Sequence, residues 1–205
     1  MTSLSKHILN TLSPLNITLS DEMVKLLIRY SELIVKENAV TNLTGARSVT
    51  DFIDKPLFDA MTVLSVFKPV SSLVDIGSGG GLPAFPLSIV HRTMHITMVE
   101  PRKRRVVFLR SAADILAVKG DVLHTQDREL GKIYFNAAVS QAVFKPEKWI
   151  KRAAKLIMPG GQIYVLSAVP VTDSMLPEKI DIKQQKRFIR PVDRALKFAA
   201  RLGSI

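Results

Sequence analysis

The sequence predicts an α/β fold: a mostly parallel sheet with helices on both faces, preceded by a helical N-terminal appendage. Three observations carry this. From residue 72 onward, apolar stretches of strand length alternate with helical stretches, and such alternation folds into a parallel sheet with its crossovers on both faces. At the first strand-to-helix joint stands the glycine-rich turn Leu73-Val74-Asp75-Ile76-Gly77-Ser78-Gly79-Gly80-Gly81-Leu82-Pro83. Before residue 69, apolar side chains recur at helical spacing instead. The expected division is therefore a helical appendage over 1–68 and a sheet-bearing domain over 69–205 that ends in a basic segment.

Residues 4–38 read as helical. Ser20 is a cap candidate, Asp21 and Glu22 suit the first turn, and Met23, Leu26, Leu27, Tyr30, Leu33 and Ile34 share one apolar face. The polar loop Thr41–Arg47 follows. Asn42 and Thr44 either cap local backbone or stand at the rim of a ligand cleft. A further helix runs through Phe52, Ile53, Leu57 and Phe58, kinked or divided by Pro56, until Lys68-Pro69 stops it. Strands are then expected at 72–76, 95–100, 121–125, 134–140 and 161–167, with helices at 82–91, 102–117 and 146–157. Residues 180–189 and 195–202 suit a hairpin across Pro191-Val192-Asp193, although the second half also suits a short helix.

The glycine turn carries the chemistry. Gly77 and Gly79 admit positive φ and a close ligand approach, and Pro83 suits the start of the next helix. Free N–H groups at such a helix start attract anions. A dinucleotide fingerprint would need glycine at position 82, where leucine stands. Asp75 fits a cofactor with a cationic amino group, and Glu100, closing the next strand, suits a ribose diol. Together Asp75, Gly77-x-Gly79 and Glu100 form the pattern of an S-adenosylmethionine site on a Rossmann-like, class I methyltransferase sheet. The plain alternative is a strand–helix turn flanked by surface acids.

The 205 residues, 47% hydrophobic, suffice for one α/β domain with a small appendage. No apolar run approaches the ~20 residues of a membrane span, and the first residues lack a signal-peptide layout. The absence of cysteine excludes disulfides and thiolate zinc, and suggests a cytoplasmic protein. His7, His91, His95 and His124 show no ligand spacing, so no metal is expected. The net charge of +11 points to a polyanionic partner. It gathers in Arg102-Lys103-Arg104-Arg105 with Arg110, in Lys145, Lys148, Lys151, Arg152 and Lys155, and in a tail of Lys183, Lys186, Arg187, Arg190, Arg194, Lys197 and Arg201. Arg102, Lys103, Arg104, Lys145 and Lys148 are the candidate RNA contacts; solvated faces are the bland reading of the same residues.

Asn42-Leu43-Thr44, Asp59, the stretch Val74–Pro83 with Pro86, and Arg104-Arg105-Val106-Val107-Phe108-Leu109-Arg110 together resemble one family. This is the bacterial small-subunit (16S) ribosomal RNA guanine-N7 methyltransferase G family, also called glucose-inhibited division protein B. The resemblance implies a monomeric enzyme that uses S-adenosylmethionine to methylate rRNA in the small ribosomal subunit. It implies cofactor contacts at Asp75, Gly77, Ser78, Gly79, Leu82, Glu100, Arg128, Glu129 and Gln141, and positioning roles for Asn42, Ser140 and Gln141. The chain departs from the family pattern at three places. Pro56 replaces a histidine, Gln141 replaces the arginine of Ser-Arg-Ala, and Ser167 replaces the lysine of Leu-Lys-Gly. These replacements motivate two alternatives: a different RNA or small-molecule acceptor, or a non-catalytic RNA-binding relative. Guanine N7 carries a lone pair and no proton, so its methylation needs positioning rather than a general base.

Overall fold

The structure, a computed structural model, describes residues 2–131 and 133–204. The outer limits of the expected division, 1 and 205, lie outside the described residues. A seven-stranded sheet forms the centre: β1 (Ser72–Ile76), β2 (His95–Val99), β3 (Gly120–Leu123), β4 (Phe135–Ser140), β5 (Ile157–Ser167), β6 (Ile180–Ile189) and β7 (Leu196–Ser204). Their order across the sheet is β3-β2-β1-β4-β5-β7-β6. The first five are parallel, whereas β7 runs antiparallel to both β5 and β6. The order reverses between β1 and β4, the point where open α/β sheets bind ligands.

The period of two along each strand separates two cores. Leu73, Met98, Val139 and Tyr164 face the N-terminal helices α1 (Ser3–Leu12) and α2 (Asp21–Thr41), together with α5 (Ala84–Val90) and α6 (Lys103–Ile115). Val74, Ile76, Ala138 and Val165 face α7 (Pro146–Ala153), which buries Trp149, Ile150 and Ala153. The N-terminal helices therefore bury their apolar stripe in the same cluster as one face of the sheet. Among the described residues, no helix is long and apolar enough to cross a membrane.

Several local expectations are adjusted. Within the helical stretch 4–38, Ser13–Leu15 tightens into a 3₁₀ turn, Asn16 takes φ 52°, and Ser20 caps the second helix by accepting from the Met23 N–H. The second helix runs on to Thr41, where Asn42 closes it in the left-handed region. Pro56 sits inside a π-turn over Ile53–Leu57, between α3 (Val49–Phe52) and α4 (Phe58–Met61); the wider turn accommodates the backbone N–H that proline lacks. Helix α7 stops at Ala153, so β5 starts earlier than the sequence suggests. The tail resolves as the hairpin β6–β7, and no helix forms over 195–202.

Candidate active site

The turn after β1 builds the site. Gly77 and Gly79 adopt φ of +72° and +56°, values that a side chain tolerates poorly. A Cβ on Gly77 would also lie 2.6 Å from Cγ2 of Val143. The N–H groups of Gly77 and Ser78 both donate to the Val99 carbonyl, at 2.8 and 3.2 Å, which pins the turn to the end of β2. Glu100 completes the hold. Its Oε2 accepts from the Gly79 N–H at 3.0 Å and its Oε1 from the Arg102 N–H at 2.9 Å. From the other side, the buried Tyr30 hydroxyl of α2 donates to the Gly80 carbonyl at 2.9 Å.

Two clefts open on this turn and a third lies beyond the turn that follows β4. The first, of about 470 Å³, lies between the ends of β1, β2 and β3 and is lined by Gly77, Glu100, Arg102, Arg105, Gln126 and Phe144. The second, of about 260 Å³, lies under the α2–α3 loop and is lined by Leu43, Thr44, Pro56, Gly79, Leu82, Arg105 and Gln141. The third, of about 350 Å³, opens toward β5 and β7 and is lined by Asp59, Thr62, Gln141, Ser167 and Lys197. Ala142, with φ 58°, borders all three. The turn that follows β4 is thus the partition between the compartments.

The sequence-expected residues divide unevenly over these clefts. Gly77, Ser78, Gly79, Leu82, Glu100, Arg102 and Gln141 line one or more of them. Asp75 lines none. It is fully buried on the same strand face as Leu73, and neither carboxylate oxygen has a hydrogen-bond partner. Burial holds its carboxyl well above the usual carboxylate range, and the charge of Glu100 adds to the effect. Asp75, expected to reach a cofactor ammonium directly or through water, thus stands buried with both oxygens unpartnered.

Ser140 is also buried and spends its hydroxyl on the Ile76 carbonyl at 2.8 Å, tying β4 to β1. Asn42 is exposed and offers its carbonyl to Arg105 Nη2 at 3.1 Å. Glu129 folds back to cap its own turn through Thr125 and Gln126, and Arg128 stays in solvent beside it. Thr125, Gln126 and Asp127, immediately before that pair, line the first cleft instead.

The charged rim is ordered in the same way. Lys103 and Arg104 point outward, while Arg102 and Arg105, three residues apart on one helix face, border the first cleft. Arg105 was the cation to single out, and the i,i+3 spacing from Arg102 was its signal. Lys145 and Lys148 stand with Lys151 and Lys155 along an open groove beside α7. That groove reaches the first cleft through Arg152, whose guanidinium carbon lies 4.8 Å from the Phe144 ring centroid and whose Nη1 pairs with Asp127 at 2.9 Å. Phe144 stacks in turn on Trp149 at 6.1 Å.

Residues 23–192 match the model of the GidB family, rRNA small subunit methyltransferase G. The chain belongs to this family. Over 182 residues it is 29% identical to the ribosomal RNA small subunit methyltransferase G of Leuconostoc mesenteroides, which covers 84% of the chain and 76% of that relative. It is 33% identical over 154 residues to the Mycobacterium leprae protein of the same name, covering 72% of the chain and 62% of the relative. Among solved structures, a mutant of MtNAS in complex with S-adenosylmethionine superposes with a TM-score of 0.58 at 15% identity, covering 88% of the chain and 72% of that protein. TrmN from Thermus thermophilus superposes with 0.57 at 17% identity, covering 73% and 49%. These likenesses establish the class I methyltransferase fold. Members of the GidB family are S-adenosylmethionine-dependent enzymes, and the cradle fits that cofactor. Gly77 and Gly79 offer backbone without side chains to the clefts, and Glu100 lines the first of them with a carboxylate.

Proposed function

We propose that this GidB-family chain transfers a methyl group from S-adenosylmethionine to guanine N7 in small-subunit ribosomal RNA. The observation that carries the reading is the Glu100–Gly79 hydrogen bond, which joins a carboxylate lining the first cleft to a side-chain-free backbone lining the second. Glu100 retains lone pairs for a ribose diol while it holds Gly79 and Arg102. Gly77, Leu82 and Gln141 would border the rest of the cofactor, Phe144 and Gln126 the adenine side. When bound, S-adenosylmethionine supplies an electrophilic sulfonium methyl: the base lone pair forms the new N–C bond, the C–S electron pair returns to sulfur, and no proton moves.

The chain's own contribution is then placement and exclusion of water. The turn Gln141–Phe144 borders both of these clefts, the α2–α3 loop walls the second, and Arg105 lines both. The basic groove along α7 supplies phosphate contacts for the RNA. Calorimetric titration with S-adenosylmethionine, followed by labelled methyl transfer to small ribosomal subunits and naked rRNA, tests the reading. Saturable binding and label recovered as 7-methylguanine are expected; label in another base, or none, rejects it.

A further inference from the structure

The third cleft holds two unpartnered acceptors, one of them on Gln141, whose side chain also borders the second cleft. Asp59 of α4 and Gln141 of the turn after β4 both line it, and each carries a buried oxygen without a hydrogen-bond partner, Asp59 Oδ1 and Gln141 Oε1. Leaving such acceptors unpaired is costly. They are therefore suited to a ligand that brings donors.

The electrostatics narrow the ligand further. Asp59 Oδ2 pairs with Lys197 Nζ at 2.7 Å and with Arg190 Nη1 at 2.8 Å, and Arg190 pairs with Asp193 at 2.6 Å. Two carboxylates thus face two cations, so the cluster carries no surplus positive charge for a phosphate. Ser167 and Thr62 add uncharged polar groups to the lining. The cleft suits a neutral, planar group with adjacent N–H donors. Among the nucleobases, guanine alone presents two neighbouring donors, N1–H and the exocyclic N2 amine. Adenine and cytosine each set a ring acceptor beside the amine, and uracil flanks its one donor with carbonyls.

Resting on the methyltransferase reading above, we propose that the third cleft seats the acceptor guanine and reads its Watson–Crick edge, with Asp59 Oδ1 and Gln141 Oε1 accepting from N1–H and the N2 amine. Guanine N7 lies on the opposite side of the base from that edge. Held this way, it is turned across Gln141 and Ala142 toward the cofactor clefts. The grip also requires a base that is not paired with another, so the substrate is an unpaired or extruded nucleotide. Asp59 and Gln141 are then specificity residues, and Lys197 and Arg190 are positioning residues that orient the Asp59 carboxylate.

The test is calorimetry on the full chain with guanosine, inosine and adenosine monophosphates, each with and without S-adenosylhomocysteine. Inosine lacks only the N2 amine, and the phosphate is common to all three. Guanosine monophosphate is expected to bind roughly tenfold or more tightly than inosine monophosphate. Asp59→Asn is expected to reduce that preference to about twofold while leaving S-adenosylhomocysteine affinity within about twofold of the unaltered chain. Equal binding of the three nucleotides, or no binding of guanosine monophosphate, overturns the proposal. So does a guanine preference that survives both Asp59→Asn and Gln141→Leu. The nucleotide ratio in the unaltered chain needs no variant to fold. Loss of S-adenosylhomocysteine binding alone would reject the cofactor reading while the ratio still judged the guanine cleft.

Discussion

Gly79 donates its N–H to Glu100 Oε2 at 3.0 Å, so the acid that follows β2 holds the glycine turn that follows β1. One carboxylate thus fixes the conformation of the turn, and the proposed cofactor contact would fall on the same group. Glu100→Ala is expected to lower S-adenosylhomocysteine affinity at least about tenfold, because a charge-assisted acceptor and the shape of the turn are lost together. Calorimetry measures the loss. Glu100→Gln, which keeps one acceptor and the shape, should fall between the two; an unchanged affinity in the alanine variant would remove Glu100 from the site.

At Gly77 the demand is steric. With φ at +72° and a Cβ position 2.6 Å from Val143 Cγ2, Gly77→Ala is expected to cost about 1–3 kcal/mol of stability. Denaturant unfolding measures this. Gly45, where an added Cβ meets nothing within 4 Å, is the control position and should give a much smaller change on substitution by alanine.

Asp75 makes stability depend on pH. Burial raises its carboxyl pKa well above the usual value, with Glu100 adding to the shift. The native state therefore keeps a proton on Asp75 that the unfolded chain releases near pH ~3.9. The stabilising difference is fully present below that unfolded value and is lost as pH rises toward and through the raised native value. Asp75→Asn removes the ionisation, so the fall in Tm with rising pH above about 4 should flatten in the variant. A pH profile of Tm with the same slope in both proteins would assign the dependence to other groups.

RNA affinity should carry the signature of the α7 groove. Lys145→Ala and Lys148→Ala are each expected to reduce the slope of log affinity against log salt by roughly 0.7–0.9. Lys6→Ala, on the exposed face of α1, should leave the slope unchanged. Fluorescence anisotropy with a labelled rRNA fragment over a salt series gives the slopes, and identical slopes for all three variants would place the RNA elsewhere.

Much of this protein is legible in the order of its residues. The strand–helix alternation, the glycine turn and the acid at 100 fix the sheet, its switch point and the mouth of the first cleft, because periodicity and backbone freedom are local properties. Arg102 could be named for the same reason, since helix capping and spacing need no tertiary knowledge. The tertiary structure decided which polar groups remain available. Asp75 and Ser140 read as site residues in one dimension, yet the fold buries both, and Ser140 is spent on the strand β1. Glu129 is spent on its own turn. Asp59, Gln141, Lys197 and Arg190 are far apart in sequence, Arg190 lying 131 positions from Asp59, and meet only because β7 inserts antiparallel between β5 and β6, bringing the basic tail against α4. Sequence spacing records chemistry along the chain; which acceptors are left without donors depends on every neighbour that packing brings, and only the folded chain fixes that.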